Sequence, residues 1–121
     1  MATWQRFEEM DIWQMGCKLV CAVYEMTRTG EFAKDFALRD QIRRAAISVP
    51  SNIAEGYERD SDKAFAQMLT IAKGSCGELR TQLHIAARLG YVDSKVMQGL
   101  IDDAERISKK LATLIKHLKS S

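Results

Sequence analysis

Residues 41–56 read QIRRAAISVPSNIAEG, a helical pattern that holds the chain's only proline, Pro50. On a helical wheel Ile42, Ala45, Val49, Ile53 and Tyr57 share one side and form a core seam. Arg44, Ser48, Asn52, Glu55 and Arg59 form a second, polar stripe. Pro50 removes one backbone hydrogen bond and its ring crowds the carbonyl of Ala46, so a kink or short break is expected near Ala46–Pro50. A proline inside a helix costs about 3 kcal/mol in isolation. The small residues around it, Ala45, Ala46, Ser48, Ser51, Ala54 and Gly56, let another helix come close and accommodate the bend.

Working outward, the apolar period predicts helices over about Asp11 to Thr29, Asp35 to Arg59, Ser61 to Leu89 and Asp93 to Lys119. Asp35, Ser61 and Asp93 are expected N-caps, and Gly30 and Gly90 stand where a left-handed helix end favours glycine. Val92 and Met97 suit a hydrophobic staple. The third helix carries the seam Phe65, Leu69, Ala72, Cys76, Leu79, Leu83, Ala86. The fourth carries Met97, Leu100, Ala104, Ile107, Leu111, Leu114, Leu118. Steps alternating four and three are the core pattern of a bundle helix. Short loops make successive helices antiparallel. The expected fold is therefore all-α: one domain over residues 1–121, an antiparallel up-down-up-down four-helix bundle with a proline-kinked second helix.

The first helix has more apolar surface than that bundle needs. Gln14, Lys18, Glu25 and Arg28 form a narrow polar stripe and nearly everything else is apolar or small. A surface helix needs an apolar stripe of roughly 100°. The excess predicts self-association, with Trp13, Cys17, Val20 and Tyr24 as the interface. In the third helix GSCGE, residues 74–78, places two glycines at an expected cost of about 1 kcal/mol each. Close passage of another backbone would explain them, and the segment around Pro50 is the candidate, within one chain or between subunits. Ser75, Glu78 and Gln82 are then candidate partners for Arg43, Arg44 or Asn52. Arg43, Arg44, Asn52, Glu55, Arg59 and Glu78 thus read either as a hydrogen-bonded polar layer that fixes register or as part of a ligand or nucleic-acid site.

A formal charge of +2 does not by itself declare a nucleic-acid partner. Its distribution says more. Residues 106–121 carry Arg106, Lys109, Lys110, Lys116 and Lys119 and no acid, whereas residues 93–105 hold Asp93, Asp102, Asp103 and Glu105 against Lys95. Matching to the helix dipole accounts for this arrangement, and so does a phosphate-binding surface made of the five basic residues.

The chemistry of catalysis is not legible. Three cysteines, Cys17, Cys21 and Cys76, form an odd set that suits reduced thiols in a cytoplasm. Cys17 and Cys21 stand four apart but have no histidine near them to complete a zinc site. No serine or cysteine nucleophile is evident in the sequence for His84 or His117, there is no phosphate-binding glycine loop, and no Glu-x-x-His pair suits a di-iron bundle. No catalytic residue, metal or cofactor is expected. The longest apolar run, LVCAVY at residues 19–24, is too short to span a bilayer, so no membrane role is expected.

The opening stretch, with Arg59 after it, closely resembles the signature of the 23S rRNA intervening-sequence protein family, also called the four-helix-bundle or S23 ribosomal protein family. FEEMDIWQ at residues 7–14, FAQMLTIAKGSCGELRTQL at 65–83 and LGYV at 89–92 resemble further parts of it. Cys76 stands where an aliphatic residue is more usual. The resemblance implies an antiparallel four-helix bundle that assembles as a homopentamer, with no established enzymatic activity. It also implies kinship to a basic pentameric accessory protein of diversity-generating retroelements, which binds nucleic acid and a reverse transcriptase. In a pentamer the charge of +2 becomes +10. Two functions follow as expectations: an oligomer that binds RNA or DNA through its basic surface, or a scaffold that presents repeated sites to a partner protein.

Overall fold

The computed structural model describes residues 4–120, so the two ends of the expected domain, residues 1–3 and 121, lie outside the described residues. A short 3-10 turn at Phe7–Glu9 precedes five helices: α1 Asp11–Met26, α2 Gly30–Lys34, α3 Phe36–Glu58, α4 Asp62–Arg88 and α5 Ser94–Lys119. No strand occurs among the described residues.

The helix ends follow from local chemistry. Asp35 Oδ1 accepts from the Leu38 amide at 3.1 Å, Ser61 Oγ from Ala64 at 3.1 Å and Asp93 Oδ1 from Lys95 at 2.8 Å. Each side chain thereby satisfies an amide that the first helical turn leaves without a partner. Gly90, at φ 76, closes α4: its amide donates to Ala87 and the Tyr91 amide to Ala86. This is the paired bonding of a left-handed helix end. The first helix ends earlier than the period predicts, at Met26. There the buried Thr27 hydroxyl donates to the Val23 carbonyl at 2.8 Å. Gly30, at φ 69, then opens α2, which sets Phe32 into the core with its ring centroid 5.2 Å from that of Tyr91.

The four long helices pack in a closed order: α1 against α3 and α5, and α4 against α3 and α5. Every residue of the α4 seam is buried, and so is the α5 seam except for the half-buried Leu114. In α3 the seam residues Ile42, Ala45, Val49 and Ile53 are buried. Tyr57 is half-buried and donates to the Trp4 carbonyl at 2.8 Å while meeting Phe65 edge-on.

The helical run of α3 continues unbroken across Pro50, which is itself buried. The close neighbour of that proline is Gly16 of α1, where an added Cβ would stand 3.3 Å from Pro50 Cβ and Cδ. Gly56 makes the second close approach, facing Phe65 and Met68 of α4. The GSCGE segment is not the partner of the proline within the chain, since a Cβ at Gly74 or Gly77 would meet nothing within 4 Å. Ser75 of that segment reaches α3 through Ser48.

Candidate nucleic-acid interface

The six residues expected to form one polar layer fall into separate groups. Arg43 Nε donates to Thr27 Oγ1 at 2.8 Å, and its guanidinium lies 4.4 Å from the Tyr24 ring centre, tying α3 to the end of α1. Asn52 Nδ2 donates to the carbonyl and hydroxyl of Ser48 at 2.7 and 2.8 Å. Ser48 Oγ lies 2.7 Å from Ser75 Oγ, which completes a chain from α3 to α4. Glu55 and Arg59 make an exposed ion pair at 2.6 Å, one turn apart on α3. Arg44 and Glu78 are exposed and have no partner among the described residues. Gln82 joins none of these groups, and its buried Oε1 is unpaired. Register is held by Arg43 and Asn52; the other four are surface residues.

The expected interface on α1 has a mixed position. Trp13, Cys17, Val20 and Tyr24 are each half-buried. Trp13 packs on Phe7 at 5.4 Å and Tyr24 lies under Arg43, so both rings already serve the fold. The most exposed large apolar side chains sit elsewhere: Phe36 and Ile47 on α3, Ile71 and Ile85 on α4, Leu89 just after it, and Val96 on α5.

The basic end of α5 divides into paired and unpaired cations. Arg106 pairs with Asp103 at 3.0 Å, Lys109 with Glu105 at 3.7 Å, and Lys110 with Asp11 of α1 at 2.8 Å. These three cations are at least partly neutralised. Lys116 and Lys119 are exposed and make no ion pair. They line an open trough between α4 and α5, and the opposite wall carries Lys63 and Lys73, which are also without an ion pair. The trough has two parts that share Thr70 and Lys119 as walls. Its acidic lining is Asp62 alone, its apolar lining Ala66, Ala112, Ile115 and Leu118, and it contains no aromatic residue. Lys63 and Lys73 were invisible to a reading of charge by sequence segment, because α4 as a whole mixes signs. The signal that finds them is helical phase: both fall on the flank of α4 that faces α5.

Little else in the chain has the setting of a reactive group. Burial pushes the Cys76 thiol up to about 11, with Arg80 and Lys73 pulling partly back. Cys17 is raised by burial and then by Cys21. Among the described residues no group of three or more His, Cys, Asp or Glu side chains comes together as a metal site. No helix among them is long and apolar enough to cross a membrane.

Residues 8–113 match the family model described as 23S rRNA-intervening sequence protein. The crystal structure, at 1.70 Å resolution, of a protein of unknown function from the S23 ribosomal protein family of Bacteroides thetaiotaomicron superposes with a TM-score of 0.81 at 23% identity. The match covers 87% of this chain and 98% of that one. At that identity the likeness establishes the fold. No curated protein matches the chain.

Proposed function

This chain belongs to the 23S rRNA-intervening sequence protein family, and from that premise we propose that it is a non-enzymatic, homo-oligomeric protein that binds nucleic acid through the basic surface at the end of α5. The observation that carries this reading is the gathering of unneutralised lysines, Lys116 and Lys119, at an end of α5 that has no acidic residue after Glu105. Cations without a carboxylate partner are free to exchange small counterions for phosphates, which is the main source of sequence-independent affinity.

We read the long helices as an antiparallel up-down-up-down bundle. Lys110, late in α5, reaches Asp11 at the start of α1, and Gly56, late in α3, faces Phe65 early in α4. We read the oligomer as a pentamer, the number that the sequence resemblance implies, at work in the cytoplasm. A second reading, a protein-interaction scaffold, draws support from the exposed Ile71, Ile85, Leu89 and Val96.

The test is a titration of the purified oligomer against fluorescent structured RNA, single-stranded RNA and duplex DNA, at low and at physiological salt. Binding that persists at physiological salt is expected. Absence of binding at either salt overturns the nucleic-acid reading and leaves the scaffold.

A further inference from the structure

The trough between α4 and α5 has a shape and a charge pattern that select the form of its ligand. We infer that it is a track for one sugar-phosphate strand, with Lys63 and Lys73 spaced along one wall and Lys116 and Lys119 on the other. This rests on the nucleic-acid reading above and narrows it to a single strand on a surface half of which belongs to α4.

Three observations carry the inference. The four lysines stand on both walls of one trough, and none has a carboxylate partner among the described residues. Arg106 and Lys110, on the flank of α5 that faces α1, and Lys109, one to two turns before Lys116, are all paired. Positive charge is therefore concentrated here rather than spread over the end of α5. Lys63 and Lys73 are ten residues apart, about 15 Å along the axis of α4, so the charges are strung along the trough rather than gathered at a point. A single phosphate would not use all four.

Width favours a single strand. Packed helix axes stand about 8–10 Å apart, a spacing that suits one extended chain. A duplex is wider than that, its major groove alone being about 12 Å across, and would set only one backbone edge on the trough. The apolar floor of Ala66, Ala112, Ile115 and Leu118 suits sugar rings, and Thr70 and Gln67 offer polar groups beside it. With no aromatic platform in the lining, bases are not stacked or read, so the track is indifferent to sequence. Asp62 stands at the α4 start of the trough and marks where the strand leaves.

The track also stays open if copies meet through α1. That helix packs against α3 and α5 and lies diagonally across the bundle from α4.

The experiment uses the full chain with short fluorescein-labelled oligouridylate, oligodeoxythymidylate and a duplex of matched length, over a salt series. Four phosphate contacts predict a slope of log affinity against log salt of roughly −2.8 for either single strand, at about −0.7 per contact. K63E/K73E should lose on the order of tenfold or more in affinity and bring the slope to roughly −1.4. The neutral pair K63A/K73A should give the same slope with a smaller loss. K95E, at the opposite end of α5, should bind as the unmodified protein does, and circular dichroism should report the same fold for all. Equal oligouridylate and oligodeoxythymidylate binding fits a track that grips phosphates, while a preference for oligouridylate would assign Thr70 or Gln67 to the ribose hydroxyl. If the unmodified protein binds and the Lys63 and Lys73 variants bind equally well, the track is overturned while the broader reading stands. Loss at K95E without loss at K63E/K73E, or duplex binding as tight as single-strand binding, overturns it too. If the unmodified protein binds no oligonucleotide at low salt, the broader reading falls and the track with it.

Discussion

At the scale of single residues, three glycines separate what helical phase reveals from what it cannot. Gly56 is a packing glycine: a Cβ there would stand 2.9 Å from Met68 Cβ and Phe65 Cδ1 and 3.3 Å from the Phe65 carbonyl oxygen. Gly56→Ala must displace α3 from α4 and should cost about 1–3 kcal/mol, measured as a fall in urea midpoint. Gly74→Ala and Gly77→Ala enter open space inside a helix and should each gain up to about 1 kcal/mol. A destabilised Gly74→Ala monomer would show that the helix at Gly74 is strained in a way alanine cannot follow. The sequence shows that each glycine is expensive in a helix, but not which of them faces a neighbour. That knowledge resides in the other helix, as with Gly16 against Pro50. Cys76 gives a second prediction. Its neutral thiol is favoured in the buried site, so its folded value of about 11 lies above the ordinary 9.0. The resulting stability is fully present below pH about 9 and is lost as pH rises from there to about 11. At about 1.4 kcal/mol per pH unit it amounts to about 2–3 kcal/mol. Cys76→Ala should therefore flatten the alkaline fall in urea stability. An alkaline limb as steep as that of the unmodified protein would assign the fall to other groups, Tyr91 among them.

At the scale of elements, the long helices were legible because each repeats an apolar period over several turns. The α4 seam was read correctly at every position. The caps were legible as well, since Asp35, Ser61 and Asp93 act on amides two or three residues away. The helix α2 was not. Five residues give no period, and its one anchor, Phe32, is buried in the core where Tyr91 from the α4–α5 connection lies beside it. The polar residues of α3 were legible as polar but not as separate groups, because the partners of Arg43, Thr27 and Tyr24, and the partner of Ser48, Ser75, lie outside α3. Asp35 is where local and distant roles coincide: one carboxylate oxygen caps α3 and the other accepts the Tyr91 hydroxyl at 2.9 Å. Tyr91→Phe removes only the second role and should cost about 1 kcal/mol. Asp35→Ala removes both and should cost about 2 kcal/mol, measured by thermal melting. In the double variant the two costs should fail to add by about the value of the shared bond. Strict additivity would mean that the Tyr91 contact contributes nothing to stability.

At the scale of the whole molecule, the proposed oligomer raises the question of which face would meet another copy. The apolar excess of α1 was legible in its composition, but part of it is consumed within the chain. Trp13 packs on Phe7, and Tyr24 carries Arg43. Cys17 and Val20 remain half-buried between these two rings on the same flank, one turn apart, with exposed Cys21 beside them. A glutamate at Val20 can turn its carboxylate to water in a monomer. In an interface it would be desolvated without a partner, at a cost of several kcal/mol per copy. Val20→Glu should therefore leave the helical spectrum intact and convert the oligomer to monomers in light scattering at micromolar concentration. Ile71→Glu provides the contrasting probe, because Ile71 is exposed on α4 beside the open Gly74. If Val20→Glu remains assembled and Ile71→Glu dissociates, the contact lies on α4, and the two unexplained glycines gain a role as the place where the neighbouring backbone comes close. If both dissociate, one copy sets its α1 against the α4 face of the next, a head-to-tail contact of the kind that builds rings when its rotation closes. Monomers from the unmodified protein would remove the oligomer altogether.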